Sequence, residues 1–152
     1  MLLTNPAIAR EIIQNAELDQ EAFQEERDRQ VFSALISTNS LRFEEEIRDY
    51  LTSVDSELGS YVEFLLVKLH RGPPIAPDTF REDMTKSCVR LQRNHLAQRI
   101  GELRFAQQEA HAEGDNERER ELCYMVEQVV HAYRRSDQLA FASTYIGRRH
   151  QH

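Results

Sequence analysis

Six histidines, two cysteines and the acidic run Phe43-Glu44-Glu45-Glu46-Ile47 are the residues of this chain whose types could do chemistry. A metal site needs three or four ligands gathered at fixed spacing. His70, His95, His111, His131, His150 and His152 show no such spacing with a third partner, so surface or interface roles are expected for each. His150 and His152 make a two-ligand pair, too few to enclose a metal. An acid–base pair needs two carboxylates aimed at one point, whereas consecutive helix positions point in different directions. Glu44, Glu45 and Glu46 therefore read as a solvated helix face. No C-x-x-C, H-E-x-x-H, phosphate-binding loop or G-x-G-x-x-G pattern occurs. No catalytic residue, metal ligand or cofactor is expected, and the chain reads as a non-enzyme.

Composition sets the class. The 152 residues suit one domain, or a small domain with an appendage. With 40 % hydrophobic and 30 % charged residues a core can form, and only 5 Gly and 4 Pro argue against a turn-rich β fold. No apolar run approaches the roughly 20 residues of a membrane span, and Met1-Leu2-Leu3-Thr4-Asn5-Pro6 lacks the basic start of a signal peptide. A cytoplasmic location is expected. Residues 1–75 hold 14 acidic against 7 basic side chains, while residues 76–152 hold 12 of each. Neither half offers the clustered positive surface that a phosphate backbone requires, so direct nucleic-acid binding is not expected.

The elements follow from apolar spacing. Asn5 suits an N-cap and Pro6 a first helical position, opening a helix with Ile8, Ile12 and Ile13 on one stripe. Leu18 and Phe23 lie near a short turn. Further helical stripes are Val31, Phe32, Leu35 and Ile36; Phe43, Ile47 and Leu51; and Leu58, Val62, Leu65, Leu66 and Leu69. Thr38-Asn39-Ser40 separates the first two of these. Phe32, Leu35, Ile47, Leu65 and Leu66 are the expected core of a short-helix bundle over 1–76. Gly72 and the prolines that follow break the pattern. Asp78 is the expected cap of a helix about 35 residues long, about 52 Å if continuous, which should project outward. Phe80, Met84, Cys88 and Leu91, on a connecting stretch over 77–91, should face the bundle.

Residues 92–147 read as an antiparallel helical hairpin turning at Gly114, a good C′ residue. Leu96, Ile100, Leu103 and Ala110 face Leu122, Val126, Val129 and Tyr133, and Asn116 with Glu119 resembles a capping box. The alternative, an intermolecular coiled coil, fits the Gly114-Asp115-Asn116 break less well. The hairpin places Cys123 level with about residue 106 and Cys88 roughly 27 Å further along, beyond disulfide reach. Two buried free thiols in a reducing compartment are expected. If Val126 points inward, a rotation of about 100° per residue puts Tyr124, Gln128, His131, Arg135 and Leu139 on the outer face. Residues 148–152 should fray. The expected fold class is all-α: a short-helix bundle, a long helix and a C-terminal antiparallel helical hairpin.

The stretch LLTNPAIAREI at 2–12, the F-x-x-x-x-x-R-x-x-F spacing of Phe23, Arg29 and Phe32, and APDTFREDMTKSCVRLQRNHLAQRIGELR at 76–104 resemble the C-terminal region of bacterial primase of the DnaG type. The resemblance covers essentially the whole chain, through hydrophobic spacing rather than catalytic residues. It implies a helicase-binding domain. In that family a helical bundle and a C-terminal hairpin dock on the N-terminal domain of the replicative hexameric helicase and bring primer synthesis to the fork. Under the resemblance, Tyr124, Gln128, His131, Arg135 and Leu139 are the expected partner-binding residues. Some family members also capture the acidic tail of the single-stranded DNA-binding protein. The zinc-binding and polymerase domains are missing here, and only Met1-Leu2-Leu3 stands where the family has most of a helix. A fragment trimmed inside that helix is expected, monomeric when isolated. The competing readings are the N-terminal domain of the helicase itself and a free-standing helical adaptor that dimerises through the long helix.

Overall fold

The structure, a computed structural model, describes residues 2–38, 43–71 and 77–142, with side chains from residue 79 in the last stretch. The described residues are all-α, as expected. Their helices are α1 (Pro6–Asn15), α2 (Glu26–Ser37), α3 (Glu44–Val54), α4 (Ser56–His70), α5 (Pro77–Glu113) and α6 (Asn116–Ala142), with a 3-10 turn at Gln20–Ala22. The chain divides into two compact units, Met1–Cys88 and Val89–His152, and the division falls inside α5. Asn39, Ser40, the expected break over 72–76, the last part of the expected hairpin over 143–147 and the expected frayed end at 148–152 lie outside the described residues. So does the side chain of Asp78, the expected cap, and α5 already begins at Pro77.

The first unit is built from helices too short to stand alone, so their ends are satisfied by side chains. The Asn5 Oδ1 atom accepts from the Ile8 amide at 3.2 Å, with Pro6 at the helix start and Pro6, Ala9, Ile12 and Ile13 buried. α1 closes where Glu17 turns left-handed, with φ at 49°. The Leu18 amide then reaches Ile13 O at 3.0 Å and the Glu17 amide reaches Gln14 O at 3.2 Å. This pair of hydrogen bonds is usually closed by glycine; a left-handed turn costs another residue about 1–2 kcal/mol. Arg10 spans from α1 to the end of α2, donating through Nε to Leu35 O at 2.8 Å and through Nη2 to Thr38 O. Arg29 donates to Phe23 O at 2.9 Å and ties the entry of α2, where the Phe23 and Phe32 rings meet at 4.9 Å.

The acidic run forms the first turn of α3, with Glu45 and Glu46 exposed as a solvated face requires. Glu46 reaches back to accept from the Phe43 amide at 3.1 Å, and Glu44 and Glu45 stand in the same turn, where the helix dipole favours negative charge. Asp55 ends α3 and caps α4, its Oδ1 accepting from the Glu57 amide at 2.8 Å. The two helices can meet so directly because position 59 is glycine. A Cβ there would stand 2.5 Å from Thr52 Oγ1 and 2.8 Å from Thr52 Cα. Ile47, Leu51, Leu58, Val62 and Leu66 are buried, as are Phe32 and Leu35. Leu65 is the correction to the expected core: it is only half-buried. The buried stripe of α4 runs 58, 62, 66, centred on Val62. Gly59 lies about 60° to one side of that centre, against α3, and Leu65 about 60° to the other.

In the first unit α5 contributes Met84 and Cys88, both buried, and a half-buried Phe80. Arg81 meets the Glu11 carboxylate of α1 at 2.7 Å and 3.1 Å. In the second unit the chain reverses in two residues. Gly114 has φ at 72°; its amide reaches His111 O at 3.1 Å, and the Asp115 amide reaches Ala110 O at 3.0 Å. The Asp115 side chain then accepts from the Arg118 amide at 3.0 Å. The cap of α6 is thus Asp115, one residue before the expected Asn116, because the residue that closes α5 also opens α6. Past the turn the helices run antiparallel, with Arg93 against Tyr133 and Asp137 and His111 against Glu119. Leu96, Leu103 and Ala110 are buried on α5, Ile100 is half-buried, and Leu122, Val126, Val129 and Tyr133 are half-buried on α6.

Three glycines separate three causes of stability. Gly59→Ala should cost about 1–3 kcal/mol by overpacking against Thr52, despite alanine's better helix propensity. Gly114→Ala meets no atom within 4 Å, so its loss, about 1 kcal/mol, should be purely conformational. Gly101→Ala, also in open space but in a helix interior, should gain about 1 kcal/mol. Urea unfolding of each variant checks the signs. By the same measurement Leu66→Ala should cost about 2–5 kcal/mol, and Leu65→Ala distinctly less.

Candidate protein-interaction surface

Helix geometry sorts the residues of α6. With Val126 at the inner edge, Leu122, Val129, Tyr133 and Ala140 fall within about 60° of it, whereas Tyr124, Gln128, His131, Arg135 and Leu139 span about 80° on the far side. All five are exposed, Tyr124 at 63 % and Leu139 at 38 %. They share one face of one helix. A tyrosine and a leucine on that face lie beside an arginine, an imidazole and an amide, a mixture of apolar area and directional hydrogen bonding that suits protein contact.

Other exposed apolar groups lie outside the faces read from the sequence. Phe105 on α5 is 63 % exposed, Met125 41 % and Phe141 55 %. Phe105 lies about 200° from buried Leu103 around α5, so its exposure follows from helix rotation. In the first unit, Arg27, Glu57, Ser60, Tyr61 and Phe64 line an open cleft of about 560 Å³. The Arg27 guanidinium stands 5.8 Å from the Tyr61 ring centre, and the Tyr61 hydroxyl donates to Asp28 at 2.8 Å. That hydrogen bond raises the Tyr61 phenol above its ordinary value, with burial adding to it. Asp28 and Tyr61 are 33 positions apart, so no sequence spacing announces the pair.

Among the described residues, no three His, Cys, Asp or Glu side chains gather as a metal would require. His70 lies 3.6 Å from Glu44, and His111 lies 3.3 Å from Glu119 beside the turn. His70, His111 and His131 are exposed, His95 is half-buried, and His150 and His152 lie outside the described residues. The hydrogen bond and charge of Arg81 hold the Glu11 carboxyl below its ordinary range. The cysteines differ from expectation in one respect. Both are free, but only Cys88 is buried while Cys123 is exposed. Cys123 follows Leu122 on the flank of α6, where a two-helix arrangement leaves it uncovered. No described helix is long and apolar enough to cross a membrane.

In comparisons with known proteins, no family model, no curated protein and no solved structure matches this chain.

Burial pushes the Cys88 thiol from an ordinary value of 9.0 up to about 11. Well below pH 9 both the folded and unfolded chains keep that proton. Between about pH 9 and pH 11 the unfolded chain loses it first, so stability should fall as pH rises, and Cys88→Ala should flatten that decline. A disulfide reagent at pH 8 should titrate one thiol, Cys123, in the native chain and two in denaturant. Two native thiols reacting at one rate would contradict the burial of Cys88.

Proposed function

We propose that this chain is a helicase-binding domain of the kind found at the C-terminal end of bacterial DnaG-type primase, a cytoplasmic, non-catalytic module. It docks on the N-terminal domain of the replicative hexameric helicase and brings primer synthesis to the fork. The exposed stripe Tyr124, Gln128, His131, Arg135 and Leu139 on α6 carries the reading, because it presents aromatic, apolar and hydrogen-bonding groups together on the side of α6 turned away from α5. The order of elements supports it as well: short helices, then a long helix, then an antiparallel return. So does the sequence resemblance that spans the chain.

A second partner follows from the same resemblance. An acidic tail such as that of the single-stranded DNA-binding protein needs a cation beside exposed apolar area; the Arg27–Tyr61–Phe64 cleft holds both, with Glu57 of the same lining 4.0 Å from Arg27 as the group such a tail would have to displace. The dimeric adaptor and the helicase N-terminal domain are the competing readings. Sedimentation separates the first, since an obligate dimer at micromolar concentration favours the adaptor.

The decisive measurement is a titration against the N-terminal domain of a bacterial replicative helicase. Tyr124→Ala combined with Leu139→Ala should weaken binding more than tenfold, about 1.4 kcal/mol. The melting temperature should hardly move, because both side chains are exposed. Parent-like binding by the double variant would reject this face. No binding by the parent chain would reject the function.

A further inference from the structure

The end of the helix pair farthest from Gly114 holds a layer unlike the rest of the seam. Arg93 Nη2 stands 3.0 Å from Asp137 Oδ1 and 3.4 Å from the Tyr133 hydroxyl, with its guanidinium 5.8 Å from the Tyr133 ring centre. Ser136, 4 % exposed, lies in the same layer. Arg93 Nε and Ser136 Oγ are both buried and lack a hydrogen-bond partner among the described residues. The Arg93 and Asp137 side chains are 37 % and 56 % exposed, so their ion pair adds little to stability, and the two buried atoms without partners lower it. Stability alone does not account for these residues.

What the layer selects is visible along α6. The stripe that meets α5 runs Leu122, Val126, Val129, Tyr133, Ser136, Ala140, at steps of four, three, four, three and four. A second stripe, Met125, Val129, Ala132, Ser136, Leu139, has steps of four, three, four and three. Both are valid helical seams. They share Val129 and Ser136, and a rotation of α6 by about 60° about its own axis exchanges them. Apolar contact discriminates poorly between the two. The Gly114–Asp115 link sets where α6 starts, but it lies about 30 Å from the layer, some twenty residues along the helices. Only the present rotation turns Tyr133 and Asp137 together toward Arg93.

We propose that the contact of Arg93 with Tyr133 and Asp137, in the layer that also holds Ser136, is a rotational lock. It selects which of two apolar stripes on α6 packs against α5, and so keeps Met125 and Leu139 at the surface. The lock is a property of the helix pair and holds whatever partner the exposed side receives. Polar groups at single seam positions fix register in coiled coils in the same manner, at some loss of stability.

The test uses the full chain carrying Cys123→Ser, which removes the exposed native thiol, with Leu139→Cys as reporter. With Arg93 intact the thiol at position 139 should label rapidly. With Arg93→Leu it should label at least fivefold more slowly, and the NMR amide signals of α6 should broaden or split into two sets. The pair Tyr133→Leu with Asp137→Leu removes the hydroxyl, the ring face and the carboxylate that Arg93 meets, and should act alike. A folded chain in either background with one set of signals and an unchanged labelling rate would overturn the lock. So would loss of the α6 helix in both backgrounds, because the layer would then supply stability rather than selection.

Discussion

The two-residue reversal at Gly114 and Asp115 is the constraint from which the second unit follows. Gly114 supplies the left-handed backbone that closes α5, and Asp115 closes the same double hydrogen bond and then caps α6. A link this short removes the freedom to slide one helix past the other near the turn. Ala110, fully buried, leaves the close approach unobstructed. From there the apolar steps of three and four on each helix recur together, so the turn fixes which residues lie level with one another along the pair. The level of the candidate interaction face on α6 follows from the turn, and its rotation is what the proposed Arg93 lock would select.

The first unit meets a different difficulty. Helices of 10 to 15 residues are marginal on their own. Their unsatisfied ends are many relative to their buried area. The chain answers with side chains at the ends: Asn5 on α1, Arg10 and Arg29 around α2, Glu46 on α3, Asp55 on α4. A single such cap is worth about 1 kcal/mol. Gly59 then lets α3 and α4 approach until Thr52 touches the backbone opposite. Burial and capping act together here, since a frayed helix end would withdraw Ile47 or Leu58 from the core.

Legibility divides along the range of each interaction. Asn5-Pro6 and Gly114 are readable because capping and left-handed turns depend on residues within four positions. The paired stripes of α5 and α6 are readable because their period is local. Leu65 misleads because two adjacent leucines on an amphipathic helix differ only by the direction of the packed partner, which the sequence of α4 does not contain. Cys123 misleads for the same reason: its burial depends on how wide a stripe one neighbouring helix can cover. The Asp115 cap falls one residue from its expected place because both Asp and Asn suit that position. Glu17 adopts a conformation that its type disfavours, and the later contact of buried Leu18 accounts for it. The Tyr61–Asp28 pair and its cleft rest on the spatial meeting of α2 and α4, for which no spacing exists.

The width of the apolar surface on α6 bears most directly on what the helix pair is for. A helix that packs on a single neighbour needs an apolar stripe of roughly 100°. Counting from Leu139 through Met125, Val129, Val126 and Val130, the apolar positions of α6 span about 180°. One antiparallel partner leaves close to half of that arc uncovered, and Met125 and Leu139 stand at 41 % and 38 % exposure as a result. Scattered exposed apolar residues are normal on any surface, but these recur at the spacing of a second seam. Tyr124, Arg135 and His131 border the same uncovered arc with groups able to hydrogen bond, the pattern of an apolar contact with a polar margin. Residues 76–152 also balance 12 acidic with 12 basic side chains, whereas the preceding 75 are acidic by a net of seven. An uncovered seam on the electrically balanced part of the chain presents little long-range repulsion to an approaching helix. The same excess of apolar width that makes α6 ambiguous in its own packing is therefore the feature on which the proposed docking of a second neighbour rests.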